Sequence, residues 1–183
     1  MDKIMTLLLC SAAAALTTTG CGTPNEPGAD LGMEQSALTG APLHNLANRN
    51  MCLGVSGGNN FKDGTQLILW DCDFTANQSW DFEPSQTYPG YYWPRNIAQT
   101  FKCPELQGTS PSPANGTRVV TADCGREDGA WAADPDPGGS GCWYLRNHFS
   151  QRYMGVSAAK IQRGQPIIQW DQIPGHPDQL WCL

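Results

Sequence analysis

The chain predicts an all-β fold made of three copies of one four-stranded unit, arranged about a pseudo-threefold axis. Three observations carry this expectation. Trp80 in Gln78-Ser79-Trp80, Trp131 in Gly129-Ala130-Trp131 and Trp181 in Gln179-Leu180-Trp181 lie 51 and then 50 positions apart. Upstream, Asn45, Asn96 and Asn147 repeat at 51 and 51. Self-similarity at a fixed period signals one supersecondary unit used several times. The third observation is the texture between the echoes. Short apolar runs alternate with Gly, Pro, Asn and Asp, which reads as strands and turns, and no helical period is sustained beyond the first sixteen residues.

The N-terminal segment stands apart. Met1-Asp2-Lys3 precede an apolar run from Ile4 to Leu16. That run is too short to span a bilayer as a helix and has the length of a signal-peptide core. Leu16-Thr17-Thr18-Thr19-Gly20-Cys21 then places a small residue just before a cysteine. This resembles a bacterial lipoprotein signal, which implies cleavage after Gly20 and a lipid on Cys21. Thr18 departs from that pattern, where an aliphatic residue is usual. Ordinary secretion, with cleavage near Ala13 to Ala15 or after the Thr run, is the other reading. Residues 1–20 are thus expected to be a signal peptide and Cys10 to be discarded with it. Residues 21–41 hold Pro24, Pro27 and four glycines, with three acids and no base, and are expected to be a flexible tether. The expected location is the outer membrane or cell surface as a lipoprotein, attached through Cys21, or otherwise the secreted fraction.

Residues 42–183 remain as one domain, enough for a single core. Ten basic residues against thirteen acidic ones leave this span at a net charge of −3. Without a basic stripe, nucleic acid is not an expected partner. The units run about 43–86, 92–139 and 142–183. Each opens on a segment ending in Asn: Leu43-His44-Asn45, Pro94-Arg95-Asn96 or Leu145-Arg146-Asn147. Next comes Cys52-Leu53-Gly54-Val55, Cys103-Pro104-Glu105-Leu106 or Tyr153-Met154-Gly155-Val156. A turn containing Gly64, Gly116 or Gly164 leads to a β-like run: Leu67-Ile68-Leu69-Trp70, Val119-Val120-Thr121-Ala122 or Ile167-Ile168-Gln169-Trp170. The Trp motif closes each unit. In the first run Leu67 and Leu69 alternate with Ile68 and Trp70, so one pair is expected in the core and the other on a candidate site. Residues 108–116 and 134–141 read as surface insertions.

Six cysteines lie beyond Cys21: Cys52, Cys72, Cys103, Cys124, Cys142 and Cys182. An even count in an exported chain predicts disulfides. Cys52 and Cys72 hold the same repeat positions as Cys103 and Cys124, which selects these two pairs. Cys142 and Cys182 are left to staple the third unit. A metal site would need close ligand pairs such as Cys-x-x-Cys, and none occurs. No metal or cofactor is expected.

The Gln-x-Trp endings, the Cys-Leu-x-Val opening and the paired cysteines together resemble the ricin-type β-trefoil lectin domain, across essentially all of 42–183. The resemblance implies a β-trefoil whose units hold shallow sugar sites. In that family an Asp two residues after the first Cys accepts hydrogen bonds from sugar hydroxyls. An aromatic two residues before the second Cys stacks on the ring, and an Asn before Gln-x-Trp adds a polar contact. Carried over residue by residue, the first unit keeps Trp70 and Asn77 but has Gly54 for the Asp and Ile68 for the strand Gln. The third keeps Trp170, has Asp178 for Asn, and has Gly155 and Ile168 at the other two positions. Gln169 sits one place along, with its face undecided. The second has Glu105 and Asp128 at the polar positions, but Ala122 removes the aromatic platform. No unit is complete.

Bland readings stand beside these. Trp80, Trp131 and Trp181 are expected in the core. Trp70 and Trp170 are either sugar platforms or packing aromatics, Glu105 and Asp128 either sugar contacts or plain surface acids, and Asn77 either a contact or a satisfier of turn backbone groups. His44, His148 and His176 lie in no nucleophile or metal motif, so no enzyme is expected. The leading function is non-catalytic, weak and multivalent glycan binding. A protein-interaction module of the inhibitor or toxin-accessory type, with degenerate sugar sites, is the alternative.

Overall fold

The structure is a computed structural model that describes residues 40–58, 61–108 and 112–183. The expected signal segment, Cys21 and the tether up to residue 39 lie outside the described residues. Thirteen strands follow one another: β1 Ala41–Pro42, β2 His44–Asn45, β3 Asn48–Val55, β4 Leu67–Asp71, β5 Ser79–Pro84, β6 Tyr92–Asn96, β7 Lys102–Leu106, β8 Val119–Asp123, β9 Trp131–Pro135, β10 Trp143–Asn147, β11 Tyr153–Val156, β12 Gln165–Trp170 and β13 Leu180–Cys182. β1 and β2 are the halves of one strand interrupted at Leu43, so each unit supplies four strands, as the repeat predicts. Ala41 already pairs with Trp80, which places the start of the fold just upstream of the expected boundary at 42.

The first and fourth strands of each unit close a barrel. β1 pairs β5, β5 pairs β6, β6 pairs β9, β9 pairs β10, β10 pairs β13 and β13 pairs β2. Closure removes the unpaired edges that an open sheet would present. The middle strands form three hairpins, β3–β4, β7–β8 and β11–β12, which cap one end.

Turns fasten the hairpins in a cycle. Gly64 N–H of the first unit donates to the Thr121 carbonyl of the second (2.8 Å), Gly116 of the second to Gln169 of the third (2.9 Å), and Gly164 of the third to Leu69 of the first (2.8 Å). On the axis itself the Gln66 side-chain amide faces three equivalent carbonyls, those of Leu67, Val119 and Ile167, at 2.7, 2.9 and 3.1 Å.

The two echoes explain the core and the seams. Trp80, Trp131 and Trp181 are fully buried. Each indole N–H reaches a backbone carbonyl of its own unit, on Leu53 (3.1 Å), Pro104 (2.9 Å) or Met154 (3.1 Å). A buried tryptophan needs such a partner, and here the partner sits 27 residues upstream every time. The asparagines act between units. Asn45 Nδ2 donates to the Asp178 carbonyl (3.0 Å), Asn96 to that of Asn77 (3.2 Å) and Asn147 to that of Asp128 (2.8 Å). Their Oδ1 atoms accept from backbone N–H groups of their own turns, on Ala47, Ala98 and Phe149.

The disulfides are Cys52–Cys72, Cys103–Cys124 and Cys142–Cys182, as the repeat register selects. They close loops with separations of 20, 21 and 40 residues. Constraint of the unfolded chain at these lengths is worth roughly 3–4 kcal/mol each.

Candidate functional site

Two hollows open on the hairpin cap, one in the first unit and one in the third. Alternation along β4 directs Leu67 and Leu69 into the core and leaves Ile68 and Trp70 on the outer face. The first hollow, about 290 Å³, is lined by Gly54, Ile68, Trp70, Asp73, Asn77 and Gln78 among others. Its equivalent in the third unit, about 230 Å³, includes Gly155, Ile168, Trp170, Ile173, His176 and Asp178. Both fall below the ~300–1,000 Å³ of sites that engulf a drug-sized ligand.

Trp70 and Trp170 are each 41% exposed, so part of each side chain is open to solvent while the rest packs. What each ring packs against comes from the neighbouring unit. A β-carbon placed on Gly164 would stand 3.9 Å from Trp70 Cζ3, and one on Gly116 would stand 3.7 Å from Trp170 Cζ3. An ion pair holds the first of these turns and a hydrogen bond the second. Arg163 of the third unit pairs Asp71, next to Trp70. Arg152 (3.0 Å) and Asn115 (2.7 Å) bind Asp171, next to Trp170. Each platform is therefore built across a seam.

The polar partners sit on single 3-10 turns. Asn77 lies in the turn Ala76–Gln78, accepts a hydrogen bond from the Thr75 hydroxyl and is partly exposed. Asp178 lies in the turn Pro177–Gln179, is 7% exposed and accepts from the His176 imidazole. The Asn45 and Asn96 staples grip the backbone of these same two residues. The N-terminal echo thus positions the candidate contacts as well as closing the barrel.

Gly54 and Gly155 have a cause that the missing Asp does not suggest. The side chains of Gln78 and Gln179 lie across them. A β-carbon on Gly54 would be 3.2 Å from Gln78 Cγ, and one on Gly155 would be 3.0 Å from Gln179 Cγ. These glutamines clasp the loop after each platform. Gln78 Oε1 accepts from Asp73 N–H (2.9 Å) and its Nε2 donates to the Asp71 carbonyl (2.7 Å). Gln179 does the same with Ile173 N–H (2.8 Å) and the Asp171 carbonyl (2.9 Å). Both were visible in the Gln-x-Trp motifs, but their side chains matter at the site and not only their tryptophans.

The second unit inverts this arrangement. Gly129 replaces the glutamine, and Glu105 occupies the space from the other strand. A β-carbon on Gly129 would come within 2.9 Å of Glu105 Cγ. Glu105 is 2% exposed and Asp128 is 3% exposed, so neither is the surface acid or open sugar contact the sequence allows for. Arg126 stands 3.5 Å from Glu105 and 3.1 Å from Asp128. Burial pushes the Glu105 pKa up to about 8, Asp128 adds to the rise, and Arg126 opposes it. A carboxyl so shifted is protonated at neutral pH and carries an O–H donor beside its carbonyl acceptor in place of a negative charge. With Ala122 offering no ring, this unit brings its two acids together below the surface.

Gln169 does not line the third hollow. It is fully buried on the opposite face of β12 from Trp170. Its Nε2 donates to the Ser112 and Ala114 carbonyls (both 2.9 Å), and its Oε1 accepts from the Ser150 hydroxyl (2.5 Å). The side chain fastens the 112–114 loop of the second unit, which corrects its place among the candidate contacts. His44 Nδ1 lies 3.5 and 3.3 Å from the sulfurs of Cys52 and Cys72. Those sulfurs are bonded to each other and offer no thiolate for a metal.

Comparison with known proteins adds to this geometry. The family described as ricin-type beta-trefoil lectin domain matches residues 40–181. Curated protein sequences give no match. Among solved structures, the designed threefold symmetric protein ThreeFoil is similar, with 21% identity, a TM-score of 0.67, and coverage of 77% of this chain and 94% of that one. The ricin B-like lectin of Macrolepiota procera, solved in complex with lactose, shares 20% identity at a TM-score of 0.64, covering 80% and 95%. The exo-beta-1,3-galactanase of Clostridium thermocellum shares 19% at 0.68, and this chain spans only 29% of its length. At these identities the structural likeness concerns the fold.

Proposed function

The chain belongs to the ricin-type β-trefoil lectin domain family, and from that premise we propose that it binds glycans without catalysing a reaction on them. The observation that carries this reading is the pairing, in two of three units, of a half-exposed tryptophan with a hydrogen-bonding side chain across a shallow hollow: Trp70 with Asn77 and Trp170 with Asp178. A sugar ring has an apolar face and a polar rim, and this arrangement meets both. The lactose complex of the Macrolepiota lectin supports the same reading.

Open hollows of this size bind one ring weakly. Two of them on one closed barrel gain avidity on polymeric or cell-surface glycans. The second unit contributes scaffold. Lipid attachment at Cys21, with residues 22–39 as a tether, would display the domain at a membrane surface and add further valency.

The test is binding to a broad glycan array by the wild-type chain and by Trp70→Ala, Trp170→Ala and double variants. Each single variant should lose more retention on polymeric glycan than affinity for a monosaccharide, and the double variant should lose both. A double variant that keeps its melting transition and its full glycan binding would sink the assignment of these two hollows, and a folded wild-type chain that binds nothing on the array would favour a protein partner.

A further inference from the structure

The two hollows differ in one direction. Ser56-Gly57-Gly58 of the first unit corresponds to Ser157-Ala158-Ala159 of the third. The backbone turns left-handed at the same two consecutive positions in both, with φ of 75° and 68° at the glycines, and 55° and 52° at the alanines. Glycine adopts this region freely, whereas alanine is strained there because its Cβ crowds the following carbonyl. The third unit nonetheless holds two methyl groups on this turn, and both line the hollow. Backbone strain of this kind concentrates at functional sites.

A second change points the same way. Asp73 of the first hollow corresponds to Ile173 of the third, which is 42% exposed on its rim. Together Ala158, Ala159, Ile173 and Ile168 give the hollow an apolar wall beside Trp170, and its polar lining side chains are His176, Asp178 and Gln179. A hexose carrying hydroxyls all round would press one or more of them against that wall without a partner, which disfavours binding. The first hollow offers Asp73 and bare glycine backbone in the same places.

We propose that the third-unit site selects pyranoses bearing a methyl-terminated substituent, the acetamido group of a 2-acetamido sugar or the methyl of a 6-deoxy sugar, while the first-unit site takes fully hydroxylated hexoses. The methyl seats against Ala158, Ala159 and Ile173. The ring stacks on Trp170, and Asp178 accepts from a sugar hydroxyl or an acetamido N–H. The proposal rests on the reading of both hollows as sugar sites.

The experiment isolates each site in the full chain. Trp70→Ala leaves the third hollow and Trp170→Ala leaves the first. Binding of galactose, N-acetylgalactosamine and 6-deoxygalactose is measured by titration with NMR detection. The Trp70→Ala protein should bind at least one methyl-bearing sugar about ten-fold or more tightly than galactose, the scale of discrimination that a well-filled apolar pocket gives. Preference for one of the two identifies which methyl is read. The Trp170→Ala protein should show no such preference. In a Trp70→Ala background, Ala158→Gly/Ala159→Gly/Ile173→Asp should bring the affinities together, and this variant relieves backbone strain, so folding is not at risk on that turn. Equal affinities in the Trp70→Ala protein overturn the proposal while leaving both hollows as sugar sites. No binding of any of the three sugars by either folded single variant overturns the proposal together with the reading beneath it.

Discussion

The first and third units fill one small volume from the closing turn, and the second unit fills it from the facing strand. Gln78 lies over Gly54 and Gln179 over Gly155, whereas Glu105 lies over Gly129. The space admits one long side chain, and which strand supplies it decides what the surface can do. A glutamine on the turn clasps the platform loop and leaves a hollow beside it. A glutamate on the strand fills the hollow's floor, meets Asp128, and is stripped of its charge at neutral pH by burial. The three units thus share a core and differ at the surface, through this exchange of partners and through Ala122 where the other two carry a tryptophan.

The largest expected effect tests whether the core is common to all three. Trp80→Ala, Trp131→Ala and Trp181→Ala should each lower the unfolding free energy by about 3–5 kcal/mol, through cavity formation, in denaturant melts. A much smaller loss at Trp131 would break the equivalence, since the second unit would then stand outside the shared core. Next in size is the exchange itself. Gly129→Gln should overpack against Glu105 and destabilise by about 1–3 kcal/mol. Adding Glu105→Gly should recover most of that loss. Simple additivity in this double-mutant cycle would refute the reciprocal filling.

The smallest effect, near neutral at pH 4 and growing as the pH rises, concerns the Glu105 charge. Its folded pKa of about 8 lies above the unfolded value, so the folded state holds the extra proton between roughly pH 4.5 and 8. Its stabilising contribution is complete below that window and is lost as pH rises through about 8. Glu105→Gln should therefore flatten the fall in stability across the window and be the more stable protein at pH 9. Parallel pH profiles for wild type and variant would show that the buried acid is not the titrating group.

The tryptophan and asparagine echoes made the architecture legible because both residue types act through backbone carbonyls, whose positions the repeat itself specifies. Alternation along Leu67-Ile68-Leu69-Trp70 placed the platform on the outer face for the same reason. The rest depends on what crosses between strands. Gln169 belongs to a seam with the 112–114 loop, which no period within its own strand reveals. Glu105 and Asp128 look like surface acids because acids usually are. Gly129 in place of the expected glutamine was the available sign of their burial, and its meaning needs the facing strand. The left-handed path of Ala158 and Ala159 runs against alanine's own preference and could be inferred only from Gly57 and Gly58 in the equivalent turn.

Gln66 carries a different lesson. Its counterparts in the other units are Arg118 and Pro166, matched by the bridges Gln66 to Val120, Arg118 to Ile168 and Pro166 to Ile68. A point on an axis has room for one amide, so a chain of three identical segments could not place all its glutamines there. A lone glutamine at the hub makes imperfect repetition part of the specification: one segment brings the amide, and the other two bring Arg118 and Pro166 at its position.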